Sequence, residues 1–174
     1  AVRAMDPDIM RAGEIRGPGT AQIATQAAVP GHSVLSKLHP TDAPTALTRL
    51  LDLGVAAYLV ASTVDAVLAQ RLVRVICPHC KIETHPDAAT RRRLDVAAMH
   101  LETTWRGEGC DQCRGTGYRG RTGVHELLVM DNDLRLEVQA RRGSEELRAM
   151  AITKGMRTLQ EDGLRLAREG TTTV

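Results

Sequence analysis

The chain has 174 residues, 43% of them hydrophobic and 25% charged, the composition of a folded globular protein able to build one or two compact units. Its 23 basic and 21 acidic residues are interspersed, and it holds no phenylalanine, one tryptophan (Trp105) and two tyrosines (Tyr58, Tyr118), so it lacks the basic stripe and stacking platforms of a nucleic-acid binder. No apolar run nears the ~20 residues of a membrane span and the start carries no secretory pattern, so a cytoplasmic setting is expected.

The chain opens at Ala1 and runs directly into Asp6-Pro7-Asp8, which reads as a segment of something longer. Ile9 and Met10, leading to Gly13-Glu14-Ile15-Arg16, predict a strand and then a loop. Gly17-Pro18-Gly19 marks a turn before a helix from Thr20 to Ala28, with Ile23, Ala24, Ala27 and Ala28 on its core face. Pro30-Gly31 stops that helix ahead of a second strand at Ser33-Val34-Leu35. Asp42 caps a helix with Pro44 in its first turn, which runs through Leu47, Leu50 and Leu51 to a stop at Gly54. A longer helix is predicted from about Ala56 to Ile76, its stripe made by Leu59, Val60, Val64, Val67, Leu68 and Leu72. Strands alternating with helices to this point predict an α/β layer structure with a mainly parallel sheet.

Composition changes at Cys77. From there to Gly123 the chain carries all four cysteines, many glycines and few large apolar residues, so hydrophobic burial alone does not hold it together. Val124 to Met130 then predicts a strand, followed by helices near 131–141, 144–154 and 157–169. Thr158 opens the last one with Glu161 three residues on, a capping box.

Cys77-Pro78-His79-Cys80 and Cys110-Asp111-Gln112-Cys113 are two C-x-x-C knuckles separated by 29 residues. Zinc takes four tetrahedral ligands and favours soft thiolates, and two such turns supply all four. A closed four-thiolate site leaves no position for water, so the zinc is expected to be structural. The competing reading is a set of buried or redox-active cysteines, but a thioredoxin-like site needs only one C-x-x-C. His79 and His85 are alternative ligands, expected instead to be solvated turn residues.

A carboxylate at the C-terminal end of a strand, such as Glu14, sits where an α/β ATPase orders water beside Mg²⁺. His32 and His39 bracket the second strand, and two imidazoles at one sheet edge would face a γ-phosphate there. A phosphate-cradling loop requires Gly-x-x-x-x-Gly-Lys, yet Lys37, Lys81 and Lys154 follow Ser36, Cys80 and Thr153. This stretch of chain is therefore not expected to hydrolyse ATP by itself.

Taken in order, these segments resemble the ATPases of type II secretion and type IV pilus assembly. Asp6 to Arg16 is similar to their Walker B region, Gly31-His32 to Leu38-His39 to their histidine box, and Leu68-Ala69-Gln70-Arg71-Leu72 to the sequence before their tetracysteine insert. Cys110 to Arg121 is similar to their second knuckle, Thr122 to Leu128 to the strand after it, and Gly155-Met156-Arg157-Thr158-Leu159 to their C-terminal helices.

The resemblance implies the C-terminal half of a RecA-like ATPase sheet in residues 1–76, a zinc subdomain in 77–119, and a strand with a mainly helical subdomain in 120–174. It makes Glu14 the catalytic glutamate, and Gly13, Arg16, His32 and His39 nucleotide-binding. It makes Cys77, Cys80, Cys110 and Cys113 the zinc ligands. ATP and Mg²⁺ are implied for the complete protein, as are a homo-hexamer, inner-membrane platform proteins as partners, and a cytoplasmic protein docked on that membrane.

Departures from the family pattern are Arg11 within the Walker B strand and Gly17 and Gly19 where acidic residues are expected. Lys37, Pro40 and Thr41 stand where the family has threonine, threonine and asparagine. These departures keep open a regulatory pseudo-ATPase. Cys110-x-x-Cys113-x-Gly115-x-Gly117, similar to one repeat of the co-chaperone cysteine-rich domain, keeps open a non-enzymatic zinc-knuckle module.

Overall fold

The computed structural model describes residues 8–88, 90 and 103–174; Asp6 and Pro7 of the Walker B segment lie outside the described residues. The chain divides into two compact units, Ala1–Ala69 with Leu127–Met156, and Gln70–Glu126 with Arg157–Val174. The fold is mixed α/β, as expected. In place of the expected mainly parallel sheet, its described strands form three two-stranded sheets, an antiparallel pair among them.

In the first unit β1 (Ile9–Glu14) pairs in parallel with β2 (Ser33–Lys37), Ile9 opposite Ser33 and Glu14 opposite Lys37. Exposure alternates along β1, and Arg11 lies on its outer side, so a charge there leaves the strand intact. Helix α1 (Pro18–Ala28) connects the two strands. It starts two residues earlier than expected because Pro18, which has no N–H to satisfy, occupies the first helical position after Gly17.

The buried face of α1 is Ala21, Ala24, Thr25 and Ala27, whereas Ile23, expected on the core side, is 70% exposed. Neighbouring helix residues point about 100° apart, so Ala24 at the centre of the face turns Ile23 away from it.

Helix α2 (Ala43–Asp52) begins as expected, the Asp42 carboxylate accepting from the Thr45 amide at 2.9 Å. The predicted helix from Ala56 to Ile76 is two elements, α3 (Ala57–Thr63) and β3 (Ala66–Ile76). Leu68 and Leu72 are 61% and 57% exposed instead of core-facing. The stripe positions 60, 64, 68 and 72 repeat every four residues, a spacing that fits a helix face and a strand face alike. Val67, Val73, Val75 and Ile76 add the β-branched character that favours the strand.

β3 pairs with β6 (Tyr118–Val129), which starts six residues before the expected strand, and both strands run on from one unit into the other. Helices α4 (Asn132–Gln139) and α5 (Ser144–Thr153) complete the first unit, with Asp131 capping the Leu134 amide at 2.9 Å. Leu47, Val55, Val60, Leu128, Leu134, Val138 and Leu147 form its core, none more than 1% exposed.

In the second unit β4 (Lys81–Thr84) and β5 (Thr104–Gly107) pair antiparallel, Lys81 opposite Gly107. Helix α6 (Leu159–Arg168) opens with the predicted capping box, Thr158 Oγ1 accepting from the Glu161 amide and Glu161 Oε2 from the Thr158 amide. Two carboxylates fasten α6 to β6. Glu126, 1% exposed, accepts from the Leu159 amide at 3.1 Å, and Asp162 accepts from the His125 amide at 2.9 Å. A carboxylate at a helix N-terminus also meets the positive end of its dipole. Among the described residues no helix is long and apolar enough to cross a membrane.

Candidate functional site

The two cysteine knuckles are built at the end of β3 and just before β6. The Ile76 amide donates to the Thr171 carbonyl and the Cys77 amide to the Gly117 carbonyl, both at 2.9 Å, which fixes the strand end and starts the first turn. A 3₁₀ turn over Asp111–Cys113 makes the second, with Arg114 in the left-handed region at φ 54°. The turn brings the Gly115 amide back to the Cys110 carbonyl at 2.9 Å.

The four sulfurs converge within 4.8 Å of one another, as a group able to hold one metal ion. Cys77 Sγ lies 3.9 Å from Cys110 Sγ, and Cys113 Sγ lies 3.8 Å from both Cys80 Sγ and Cys110 Sγ. Cys77 and Cys113 are buried and the other two half-buried. His79 and His85 are outside this group.

Backbone amides point at the sulfurs: Gly109 at Cys80 (3.3 Å), and Cys110 and Gly117 at Cys113 (3.2 Å each). Burial raises the cost of ionising Cys80, and its three neighbouring thiols add to that against one amide, so its thiol is pushed well up. At Cys113 burial opposes ionisation too, but the two amides together with hydrogen bonds from the Cys110 and Cys80 thiols hold the thiol down. One sulfur is thus favoured as a thiolate while that of Cys80 resists ionisation. A cation among them removes that resistance.

Glycines make this geometry possible. Their abundance is plain in the sequence, but their role is not. A Cβ on Gly107 would stand 2.0 Å from the Gly117 carbonyl oxygen, and one on Gly117 would stand 2.4 Å from that of Gly107. Gly117 is also left-handed, at φ +75°. The visible trace is the pattern Gly107-x-Gly109-Cys110 and Cys113-x-Gly115-x-Gly117, glycines at alternate positions leading into and out of the second knuckle.

The second cluster lies at the C-terminal ends of the parallel pair. Glu14 ends β1, and pairing continues one residue further through the Ile15 amide to the Lys37 carbonyl at 2.8 Å. Arg16 Nη2 meets Glu14 Oε2 at 2.7 Å, and His39 Nε2 meets Glu14 Oε1 at 2.9 Å. The Arg16 hydrogen bond, opposed by partial burial and reinforced by the charges of Arg16 and His39, holds the Glu14 carboxyl below its usual range.

His32 does not join them. It precedes the first residue of β2 while His39 follows the last, so the two imidazoles stand at opposite ends of that strand, not at one edge as expected. Gly13 lies in β1 with nothing within 4 Å of where a Cβ would stand, so no close backbone approach requires glycine there.

The model of the Type II/IV secretion system protein family matches residues 1–174. The chain belongs to that family. It is 46% identical over 171 residues to the type IV pilus assembly ATPase PilB of Thermus thermophilus, covering 97% of this chain and 19% of that protein. It is 45% identical to the type II secretion system protein HxcR of Pseudomonas aeruginosa, over 100% of this chain and 34% of that protein. The type II secretion system ATPase E of Vibrio cholerae is 41% identical over the whole chain. The chain therefore spans between about a fifth and about a third of the length of these relatives.

Among solved structures, the ATPase DotB of Yersinia pseudotuberculosis superposes with a TM-score of 0.66 over 98% of this chain and 36% of its own. At 18% identity that likeness shows the fold alone. The family resemblance and the α/β class read from the sequence both hold.

Proposed function

We propose that the chain is the C-terminal part of a cytoplasmic ATPase motor, peripheral to the inner membrane, that couples ATP hydrolysis to pseudopilus or pilus assembly and protein export. The observation that carries this reading is the Glu14 carboxylate at the C-terminal end of a parallel strand, in contact with Arg16 and His39. A carboxylate kept ionised there orients an attacking water, while a guanidinium and an imidazole offer N–H donors to phosphoryl oxygens. With no lysine in a Gly-rich loop, this stretch relies on the rest of the protein to hold ATP and Mg²⁺. Glu14 is the catalytic base of this proposal, and Gly13, Arg16 and His39 at the same strand ends line the nucleotide side; His32, at the far end of β2, is not part of that cluster.

The four thiols are proposed to bind structural zinc. A tetrahedron with Zn–S bonds of about 2.3 Å has edges of about 3.8 Å, and the closest sulfur pairs here stand at 3.8 and 3.9 Å. The ion supplies the cross-link that the apolar-poor segment lacks.

The working form is proposed to be a homo-hexamer acting on inner-membrane platform proteins. Residues 1–76 would be the RecA-like part, 77–119 the zinc part and 120–174 the C-terminal part. In the complete protein, Glu14→Gln is expected to abolish ATP turnover while ATP still binds. Undiminished turnover would remove Glu14 as the base.

A further inference from the structure

Both oxygens of the Glu14 carboxylate are occupied, Oε2 by Arg16 at 2.7 Å and Oε1 by His39 at 2.9 Å. A carboxylate that orients an attacking water needs an oxygen turned toward that water. In this arrangement each oxygen already accepts from an N–H donor, which leaves it a single lone pair and holds down its basicity. The two side chains that occupy them are themselves open, with Arg16 81% and His39 77% exposed, so each can turn to another anion without unpacking anything.

The competition favours a phosphate. An exposed ion pair contributes little, whereas a phosphoryl group carries more charge and takes two parallel N–H bonds from one guanidinium. Arg16 lies two residues beyond Glu14, close enough in an extended chain to keep its stem in place while its head changes partner.

We infer that Arg16 and His39 lock Glu14 in a resting pose, and that the terminal phosphate of a nucleoside triphosphate draws them off and frees the carboxylate. This rests on Glu14 being the base. Arg16 and His39 are then positioning residues for Glu14 as well as phosphate contacts, and the diphosphate, lacking the terminal group, leaves the lock closed. Water activation is thereby tied to the presence of the group to be cleaved, and a product-bound site is kept idle.

The lock predicts that the carboxylate competes with the terminal phosphate for Arg16. Calorimetry on the complete protein with Mg²⁺ would measure the affinities of ADP and of the non-hydrolysable β,γ-imido analogue of ATP for wild type, Glu14→Gln, Arg16→Gln and the double variant. ATP turnover would be recorded on the same samples.

Glu14→Gln is expected to raise the preference for the triphosphate over ADP by about two- to fivefold, the scale of an exposed ion pair. Arg16→Gln is expected to lower that preference. In the double variant the gain from Glu14→Gln should vanish. Unchanged ADP affinity would report an intact fold.

An unchanged preference in Glu14→Gln, or a gain that persists without Arg16, overturns the lock even if turnover is abolished. Undiminished turnover in Glu14→Gln overturns the base assignment and the lock with it.

Discussion

Removing the metal should open the cysteine segment while leaving the first unit folded. Between Cys77 and Gly117 the buried described residues are Cys77, Pro86, Thr104, Cys113 and Gly117, with no leucine, isoleucine or valine among them. Since burying such a side chain contributes about 1.5–3 kcal/mol, the segment forgoes the usual source of stability. Four-ligand zinc binding contributes roughly 10–16 kcal/mol to small metal-dependent folds, as much as the ~5–15 kcal/mol that stabilises a whole domain.

The amides of Gly109, Cys110 and Gly117, which donate to sulfur, and of Cys77, which donates to the Gly117 carbonyl, should therefore lose exchange protection on chelation. A loss of only about 3 kcal/mol is already roughly a hundredfold in rate. The amides of Leu134 and Leu147 in the other unit should keep theirs. Trp105, the only tryptophan, stacks against Lys81 with 4.4 Å between Nζ and the ring centroid, and its fluorescence should change in parallel. Unaltered exchange at the four cysteine-segment amides, in a sample shown by elemental analysis to be metal-free, would refute the reasoning.

Three further outcomes are expected. Glu126→Ala strands the Leu159 amide at the start of α6 and should cost about 1–3 kcal/mol in denaturant unfolding, with Glu126→Gln recovering part of it. Gly117→Ala drives a methyl into the Gly107 carbonyl, 2.4 Å away, and should lower metal content at a fixed chelator concentration, whereas substitution at Gly13, with nothing within 4 Å, should not.

Burial works against the ionised forms of Asp42 and Asp162. The amides of Thr45 and His125 and the charges of Arg148 and Arg165 nevertheless hold both carboxyls below their ordinary 3.8. Their stabilisation is complete above that unfolded value and disappears as pH falls through the lower folded one. Unfolding midpoints followed from about pH 6 to about pH 2 should drop below about pH 4. Asp42→Asn, which keeps an oxygen for the cap, should flatten that drop.

What could be read from the sequence was local chemistry at fixed spacing. Asp42 ahead of Pro44, Thr158 with Glu161, and the paired C-x-x-C turns each satisfy their own neighbours within three or four residues, and all appear as expected. Longer patterns were ambiguous for a physical reason. A repeat of four from Val60 to Leu72 serves both periodicities, and it is the pairing of β3 with β6, a partner some fifty residues away, that selects the strand.

β6 was shortened because Gly120 and Gly123 hide a strand's pattern, and glycine spares the strand a side chain where Gly123 faces His125 and Gln70. Glu14 and His39 stand out separately in the sequence, but their contact depends on the register of β1 against β2, which no single strand encodes; the separation of His32 from His39 follows from the extended strand between them.

The most direct test of the account is ATP turnover by the complete protein carrying Glu14→Gln, with metal content determined on the same preparation. The expected result is one zinc per chain, ATP still bound and turnover abolished. Undiminished turnover in a zinc-loaded sample would contradict the claim that this chain supplies the catalytic carboxylate of the motor.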